Sequence, residues 1–434
     1  MSKLKAKKKR TVALLLLICV FPTFFSGCWS YQEVDETGFI LFLGLDRGVE
    51  NKLTWSAQIA KPRAIVGAAG GDGGMGSPQN DGQSIANVSV EAPTFTAAMT
   101  MMNIFLDRRL SLKHLKVIVF SEELAREGMM TYLGVMGRYP EFRRSVLIAV
   151  CRGITARELL ENNNRVLEVN PAKHAEMVTA FSQFTGFIPA QPQFHYFYND
   201  AKADDADPVC LMVGLRRETP QGEGPPVTGE EWVSEGAYYA GELPRSGGNN
   251  VELIGAAVFQ NDRYVGDING DQMTGLMLIR GTFNETNLSA EDPFDPSKML
   301  AFNLTAYRSP QFQVDLSGPV PRIHIIVRLH GTLLGNQNLS VDFEEESNRL
   351  ILEAIINQQL EGFMADIIDR AQNEFQADIL HLGKIVKHKF LTIQQWREYD
   401  WLGTQFPQAI ITAEARTRIR YFGLLHETAP LATR

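Results

Sequence analysis

An apolar run from Thr11 to Phe25, closed by Ser26-Gly27-Cys28-Trp29, divides this chain into a leader and a body and so limits what is left to fold. Ahead of the run, Lys3, Lys5, Lys7, Lys8, Lys9 and Arg10 form a positive segment. Behind it, Ser26 and Gly27 supply the small side chains that a signal peptidase accepts. A cysteine directly after such a pair predicts a bacterial lipoprotein. Cleavage between Gly27 and Cys28 makes Cys28 the new N-terminus and the carrier of a covalent diacylglycerol. Burial contributes about 0.8 kcal/mol per methylene, so two acyl chains anchor stably where one is marginal. Two other readings stay open. A spanning helix needs about 20 apolar residues, more than this run provides. A plain secretory signal with an incidental cysteine fits residues 1–27 as well.

Removing 27 residues from 434 leaves 407, room for two or three domains of about 150 residues. The apolar and charged fractions, 44% and 21%, are those of a folded globular protein and exclude a polytopic membrane chain. The net charge is -8, and the leader carries six positive and no negative side chains, so the body is near -14. Such a body repels nucleic acid and anionic head groups alike, which leaves acyl chains and protein partners to hold it at a membrane. With Cys19 in the leader and Cys28 lipidated, Cys151 and Cys210 remain, each inside an apolar run. They predict buried thiols, not a disulfide framework.

The N-terminal half alternates strand and helix. Val34 to Leu45 reads as a buried strand, and Leu53 to Ile59 as a second, half-exposed one making a hairpin with it. Gly71, Gly73 and Gly76 satisfy G-x-G-x-x-G, but loop residues follow where a helix should open, so residues 67–82 read as a surface excursion, not a dinucleotide site. A helix from Phe95 to Leu106, capped by Thr94, should bury Ala98, Met101, Met102 and Phe105. Strands at Leu115–Phe120 and Val146–Cys151, with helices opening at Ser121 and Thr155, complete an α/β layer over a mixed sheet.

Residues 199–250 are dense in Asp, Gly and Pro, as in Asp204-Asp205-Ala206-Asp207-Pro208 and Ser246-Gly-Gly-Asn-Asn250. They predict a linker or insert with short strands at Val209–Gly214 and Gly236–Tyr239. Beyond it, strands at Leu253–Gln260 and Arg263–Val265 flank the turn Asn261-Asp262. Asp267 to Asp271 lacks the glycine and the distal Glu of a calcium loop and reads as a turn before a helix at Gln272–Ile279. His324 and His330 share a strand face roughly 20 Å apart, too far to hold one ion. Arg349 to Phe375 carries the longest helical periodicity, broken at Asp378-Ile-Leu-His-Leu-Gly383. Trp396 and Trp401 flank a further amphipathic segment that Pro407 should stop.

Last, Ile411 to Tyr421 alternates apolar residues with Glu414, Arg416, Arg418 and Arg420, a half-buried strand with arginines outward. Such a row either guards a sheet edge or docks a partner. His426-Glu427 lacks the second histidine of a zinc protease motif, since Pro430 stands there.

The expected fold class is therefore α+β, multi-domain, with mixed β-sheets packed with helices. Its parts are the signal peptide 1–27, an N-terminal α/β domain 28–198, the linker or insert 199–250, and a C-terminal α+β domain 251–434 with the long helix 349–375. No nucleophile elbow, metal cluster, P-loop or paired carboxylate stands out. No catalytic, cofactor-binding or metal-ligating residue is expected, and no enzyme.

Several segments come in a telling order. They are Cys28-Trp29, the Phe39–Asp46 strand, His114 before the Leu115 strand, Arg138 ahead of Pro140-Glu-Phe-Arg-Arg144, Gly255-Ala-Ala-Val-Phe259 with Tyr264-Val-Gly266, and Asp378–Gly383 with Trp396. Together they resemble the Ger(x)C proteins, the C subunits of nutrient germinant receptors in spore-forming bacteria, over nearly the whole chain. The resemblance implies a three-part α+β lipoprotein without known enzymatic activity, on the outer face of the inner spore membrane. It also implies assembly with two membrane-embedded subunits, one of them transporter-like. The expected function is a non-catalytic receptor subunit needed for germination. The alternative is a tethered small-molecule binding lipoprotein, which would need a deep cleft lined by aromatics.

Overall fold

The computed structural model describes residues 36–50, 53–60, 85–163, 184–217, 232–338 and 341–422, with residues 173, 176, 177 and 180 between them. The leader, Gly27, Cys28, the 67–82 loop and the His426 segment lie outside the described residues.

Among the described residues the first sheet is nine-stranded. β1 (Thr37–Arg47) and β2 (Leu53–Ala60) form the expected antiparallel hairpin. β3 (Ile85–Ala92), in which Ala86, Val88, Val90 and Ala92 alternate with Asn87, Ser89 and Glu91, extends it. β4 (Arg109–Ser111) and β5 (Val117–Ser121) each run parallel to β1. β6 (Leu147–Cys151) and β7 (Val209–Leu215) continue in parallel beside β5. β8 (Val251–Gln260) and β9 (Arg263–Ile268) close the far edge antiparallel.

The crossovers carry α1 (Phe95–Phe105), α2 (Glu122–Glu127), α3 (Met130–Met136), α4 (Ala156–Glu161) and α5 (Phe194–Asp200). Thr94, Ser121 and Thr155 cap α1, α2 and α4 through their hydroxyls, as their positions predict.

Four expectations are corrected here. β2 is buried along nearly its whole length, because α4 covers its second face and Gln58 donates to the Leu160 carbonyl. α1 buries Phe95, Ala98, Met99 and Met102, a continuous stripe at helical spacing, and leaves Met101 and Phe105 exposed. Residues 236–239 are not a strand: Gly236 lies in a turn and 237–239 are irregular. The stretch read as a linker supplies β7, which lies between β6 and β8 inside the first sheet.

β8 and β9, expected to open the C-terminal unit, also sit on the first sheet, so the change of sheet comes after Ile268. The reason is burial. Residues 254 and 256–259 of β8 are all buried, and a strand buried on both faces needs neighbours rather than solvent.

α6 (Gly270–Arg280) leads to the second sheet and opens on a capping box between Asn269 and Gln272. β10 (Glu285–Asp292), β11 (Asp295–Asp315), β12 (Arg322–Asn336) and β13 (Ile410–Tyr421) follow in that spatial order, with β13 parallel to β12. The crossover between the last two is α7 (Glu346–Asp369), which continues as a π-helical turn, Arg370–Glu374. α8 (Leu382–Lys387) and α9 (Ile393–Tyr399) come next. A second π turn, Trp401–Gln405, then leads into a short helical turn, Phe406–Gln408. Pro407 thus stands in the first turn of a helix, where its missing N–H is not needed, and does not end one.

One face of the second sheet is buried under α7. Leu352, Ile356, Leu360, Met364 and Ile367 pack in one core with Ile325, Val327, Leu329, Ala415 and Ile419. The chain is α+β, with two mixed sheets packed with helices.

Candidate functional site

Cys28 and Gly27 lie outside the described residues, so the structure bears first on Arg416, Arg418 and Arg420. β13 alternates as its sequence predicts: Ala415, Thr417 and Ile419 are buried, and the three arginines are exposed on the opposite face. The backbone of this edge strand is already occupied. Ala415, Thr417 and Ile419 donate their outward N–H groups to Glu361 Oε1, Asn357 Oδ1 and Glu353 Oε1 at 3.0, 2.8 and 2.9 Å. These acceptors step by four along α7 and so form a single stripe. α7 therefore seals the edge against strand addition, a task the arginine row would otherwise serve.

The arginines stand in a larger basic field. Arg308, Arg328 and Arg416 are in direct register across β11, β12 and β13, and His330 is in register with Arg418. Tyr307 stacks on His330 with centroids 4.2 Å apart, with Arg308 and Arg420 over the Tyr307 ring at 5.0 and 5.6 Å. Partial burial, with Arg420 and Arg418 beside it, lowers the His330 pKa. Glu414 is the counter-charge on β13, pairing with Arg416 at 2.5 Å and facing His324 at 3.4 Å.

A second constellation joins the two sheets, and it explains the hexapeptide Asp378–Gly383. The fully buried Asp378 carboxylate accepts from Leu382 N at 3.1 Å, Gly383 N at 2.6 Å and Trp401 Nε1 at 2.8 Å. Burial pushes its pKa up to about 6 against those donors. Asp378 N donates to Asp207 Oδ2 at 2.9 Å, and Asp207 Oδ1 accepts from Asn261 N in the β8–β9 turn at 2.7 Å. Burial also raises Asp207 to about 6.

Arg280, at the end of α6, donates through Nε to the Ile379 carbonyl at 2.6 Å. Burial lowers its pKa to about 10, so it stays charged at neutral pH. His381 sits at φ 62°, with Nε2 3.1 Å from Asp200 and Nδ1 3.3 Å from Lys384 Nζ. An ammonium beside Nδ1 requires that nitrogen to accept, which fixes the neutral ring. Accordingly burial, then Arg280, lowers the His381 pKa to about 4. Burial opposes charge on Asp200, but His381 and Lys384 outweigh it and hold its pKa at about 2.

This arrangement predicts a pH effect. As pH falls from 7 to 5, an unfolded histidine takes up a proton near 6.5 that native His381 refuses, so its contribution to stability is lost. Over the same range native Asp378 and Asp207 take up protons that unfolded aspartates do not, which adds stability. The two effects oppose each other. In His381→Asn only the second remains, so urea unfolding should show the variant gaining on the wild type as pH falls from 7 to 5. A constant difference between the two would contradict the buried neutral ring.

Sequence reading singled out Asp378–Gly383 but not Asp200, Asp207 or Arg280. Asp207 and Asp378 are 171 residues apart, and no local spacing links them. An aspartate inside an apolar hexapeptide and an arginine closing an apolar helix were the available signals. Among the described residues no group of three His, Cys, Asp or Glu side chains is placed to hold a metal ion. None of the described helices is long and apolar enough to cross a membrane.

The chain is similar in sequence to known proteins. The family described as spore germination protein N-terminal domain matches residues 30–215, and that described as spore germination B3/GerAC like, C-terminal, matches residues 254–423. The spore germination protein YndF of Bacillus subtilis (strain 168) is 22% identical, covering 97% of this chain and 99% of its own. Spore germination protein B3 of the same organism is 21% identical, covering 88% and 90%. Among solved structures, the crystal structure of the GerBC protein is 16% identical, with a TM-score of 0.47, over 87% of this chain and 96% of its own.

Proposed function

The chain belongs to the Ger(x)C family of spore germination proteins, and on that premise we propose that it is a non-catalytic, lipid-anchored subunit of a spore nutrient germinant receptor. The observation that carries this reading is the match of both family halves, in order, on one chain. In this reading Cys28 bears a diacylglycerol after cleavage behind Gly27 and holds the body to the outer face of the inner spore membrane. Two membrane-embedded subunits of the same receptor are its partners, and the lipid is its one covalent addition. β1 starts at Thr37, close behind the anchor in sequence. The basic face of the second sheet, with Arg416, Arg418 and Arg420, is the candidate docking surface. A body near -14 does not adhere to anionic lipid unaided, so the anchor supplies the retention.

Cys28→Ala tests the anchor. Membrane fractions of spores should lose the protein, nutrient-triggered germination should fall with it, and the isolated chain should keep its unfolding midpoint. A variant that stays in the membrane fraction at full activity would show that protein contacts alone hold it.

A tethered small-molecule binder needs an aromatic cleft. The cavity of 770 Å³ between the first sheet and the start of β10 is lined by Lys116, Arg143 and Gln193 together with Leu115, Leu147 and Pro192, and among the described residues its one aromatic side chain is Phe283. That lining favours the receptor-subunit reading.

A further inference from the structure

Arg328 stands among the arginines on the face of the second sheet opposite α7. Arg328 is half-buried, and its Nη1 is buried without a hydrogen-bond acceptor among the described residues. A desolvated guanidinium nitrogen left without an acceptor costs free energy that an incoming anion would recover. Beside it β11 bulges twice, between Ala306 and Arg308 and again before Gln311. The bulges take Ser309 and Pro310 out of register and open a cavity of 220 Å³ lined by Tyr307, Arg308, Ser309 and Arg328 over Leu278 and Phe283. Bulges re-aim side chains and interrupt pairing, and they concentrate at functional sites.

We propose that this face, centred on Arg328, docks an acidic segment of a partner protein, with one carboxylate seated between Arg308, Arg328 and Tyr307. The proposal deepens the receptor-subunit reading and rests on it for the partner's setting alone.

Three observations favour this occupant. β12 and β13 carry Arg322, Arg328, Arg416, Arg418 and Arg420 and no lysine, on a chain whose net charge is -8. A planar fork that meets a carboxylate through two parallel hydrogen bonds selects arginine, whereas a lipid head-group layer attracts both cations alike. The β13 edge is sealed by Glu353, Asn357 and Glu361, so a partner meets the arginine side chains rather than the backbone. Along β13 the arginines recur every second residue, roughly 7 Å apart, a repeat that an extended acidic segment shares.

Titration of the mature chain with a hexaglutamate peptide tests this, by fluorescence anisotropy at low and at raised salt. Binding should weaken with salt, and Arg416→Ala/Arg418→Ala/Arg420→Ala together should weaken it by about tenfold. Arg328→Gln and Arg328→Lys should each weaken it by about tenfold, since lysine keeps the charge but not the fork. Unfolding midpoints in urea report whether each variant folds; Tyr307→Ala, expected to weaken binding as well, replaces any that does not. The inference is overturned if the wild type does not bind at low salt, or if Arg328→Lys binds as tightly as the wild type. It is also overturned if phosphatidylglycerol–phosphatidylcholine vesicles bind with this arginine dependence while the peptide does not. A failed titration leaves the receptor assignment standing, because deletion of the gene reads that separately.

Discussion

Asp378→Ala should destabilise the folded chain by about 3–5 kcal/mol, the effect of removing one partner from a buried charge network. Three donors, Leu382 N, Gly383 N and Trp401 Nε1, lose their acceptor together, and Arg280 loses a neighbouring negative charge. Each orphaned buried donor costs about 1–3 kcal/mol before any relaxation. The loss falls on the 378–401 segment, because the bond from Asp378 to Asp207 is made by the Asp378 backbone N–H and survives in alanine. Asp378→Asn keeps the shape and one acceptor oxygen and should cost less, about 1–2 kcal/mol. Urea unfolding followed by Trp fluorescence reads both variants, because Trp396 and Trp401 are buried within this region. An alanine variant within about 1 kcal/mol of wild type would mean that solvent replaces the carboxylate at no cost.

Gly275→Leu should be comparably severe. A Cβ at this position would lie 2.4 Å from the Phe363 carbonyl oxygen, so α6 and α7 touch backbone to backbone there. Overpacking typically costs about 1–3 kcal/mol, and a clash with backbone belongs at the upper end because no side chain can rotate away. There is a specific consequence beyond stability. Displacing α7 moves Glu353, Asn357 and Glu361 off β13, so amide hydrogen exchange at Ala415, Thr417 and Ile419 should quicken more than at the centre of the first sheet. Unchanged exchange at those three amides would show that α7 yields elsewhere and that the edge stays sealed.

The elements most legible in the sequence are those whose signal is local. Thr94, Ser121 and Thr155 announce their helices because a cap acts within one turn. The alternation of β13 fixes which side of the sheet the arginines face, because the strand period is two. Less legible is whatever depends on a distant neighbour. β3 alternates Ala86, Val88, Val90 and Ala92 with Asn87, Ser89 and Glu91, but nothing within it names β2, 25 or more residues earlier, as its neighbour. β7 lies between stretches rich in Asp, Gly and Pro, and its place inside the first sheet is set by β6 and β8. For the candidate site, Arg416, Arg418 and Arg420 were visible as a row. Arg308 and Arg328 join them only through strand register, and the sealing of β13 by α7 joins residues 54 to 66 apart in the chain.

The central claim, that this chain is a subunit needed for the response of spores to a nutrient, is tested most directly by germination of spores lacking its gene. Release of refractile spores from dormancy, followed by optical density under single nutrients and under a non-nutrient stimulus, is the measurement. The response to one class of nutrient should be lost while the non-nutrient response is unchanged, and the wild-type gene supplied in trans should restore it. Germination at the wild-type rate with every nutrient would contradict the assignment.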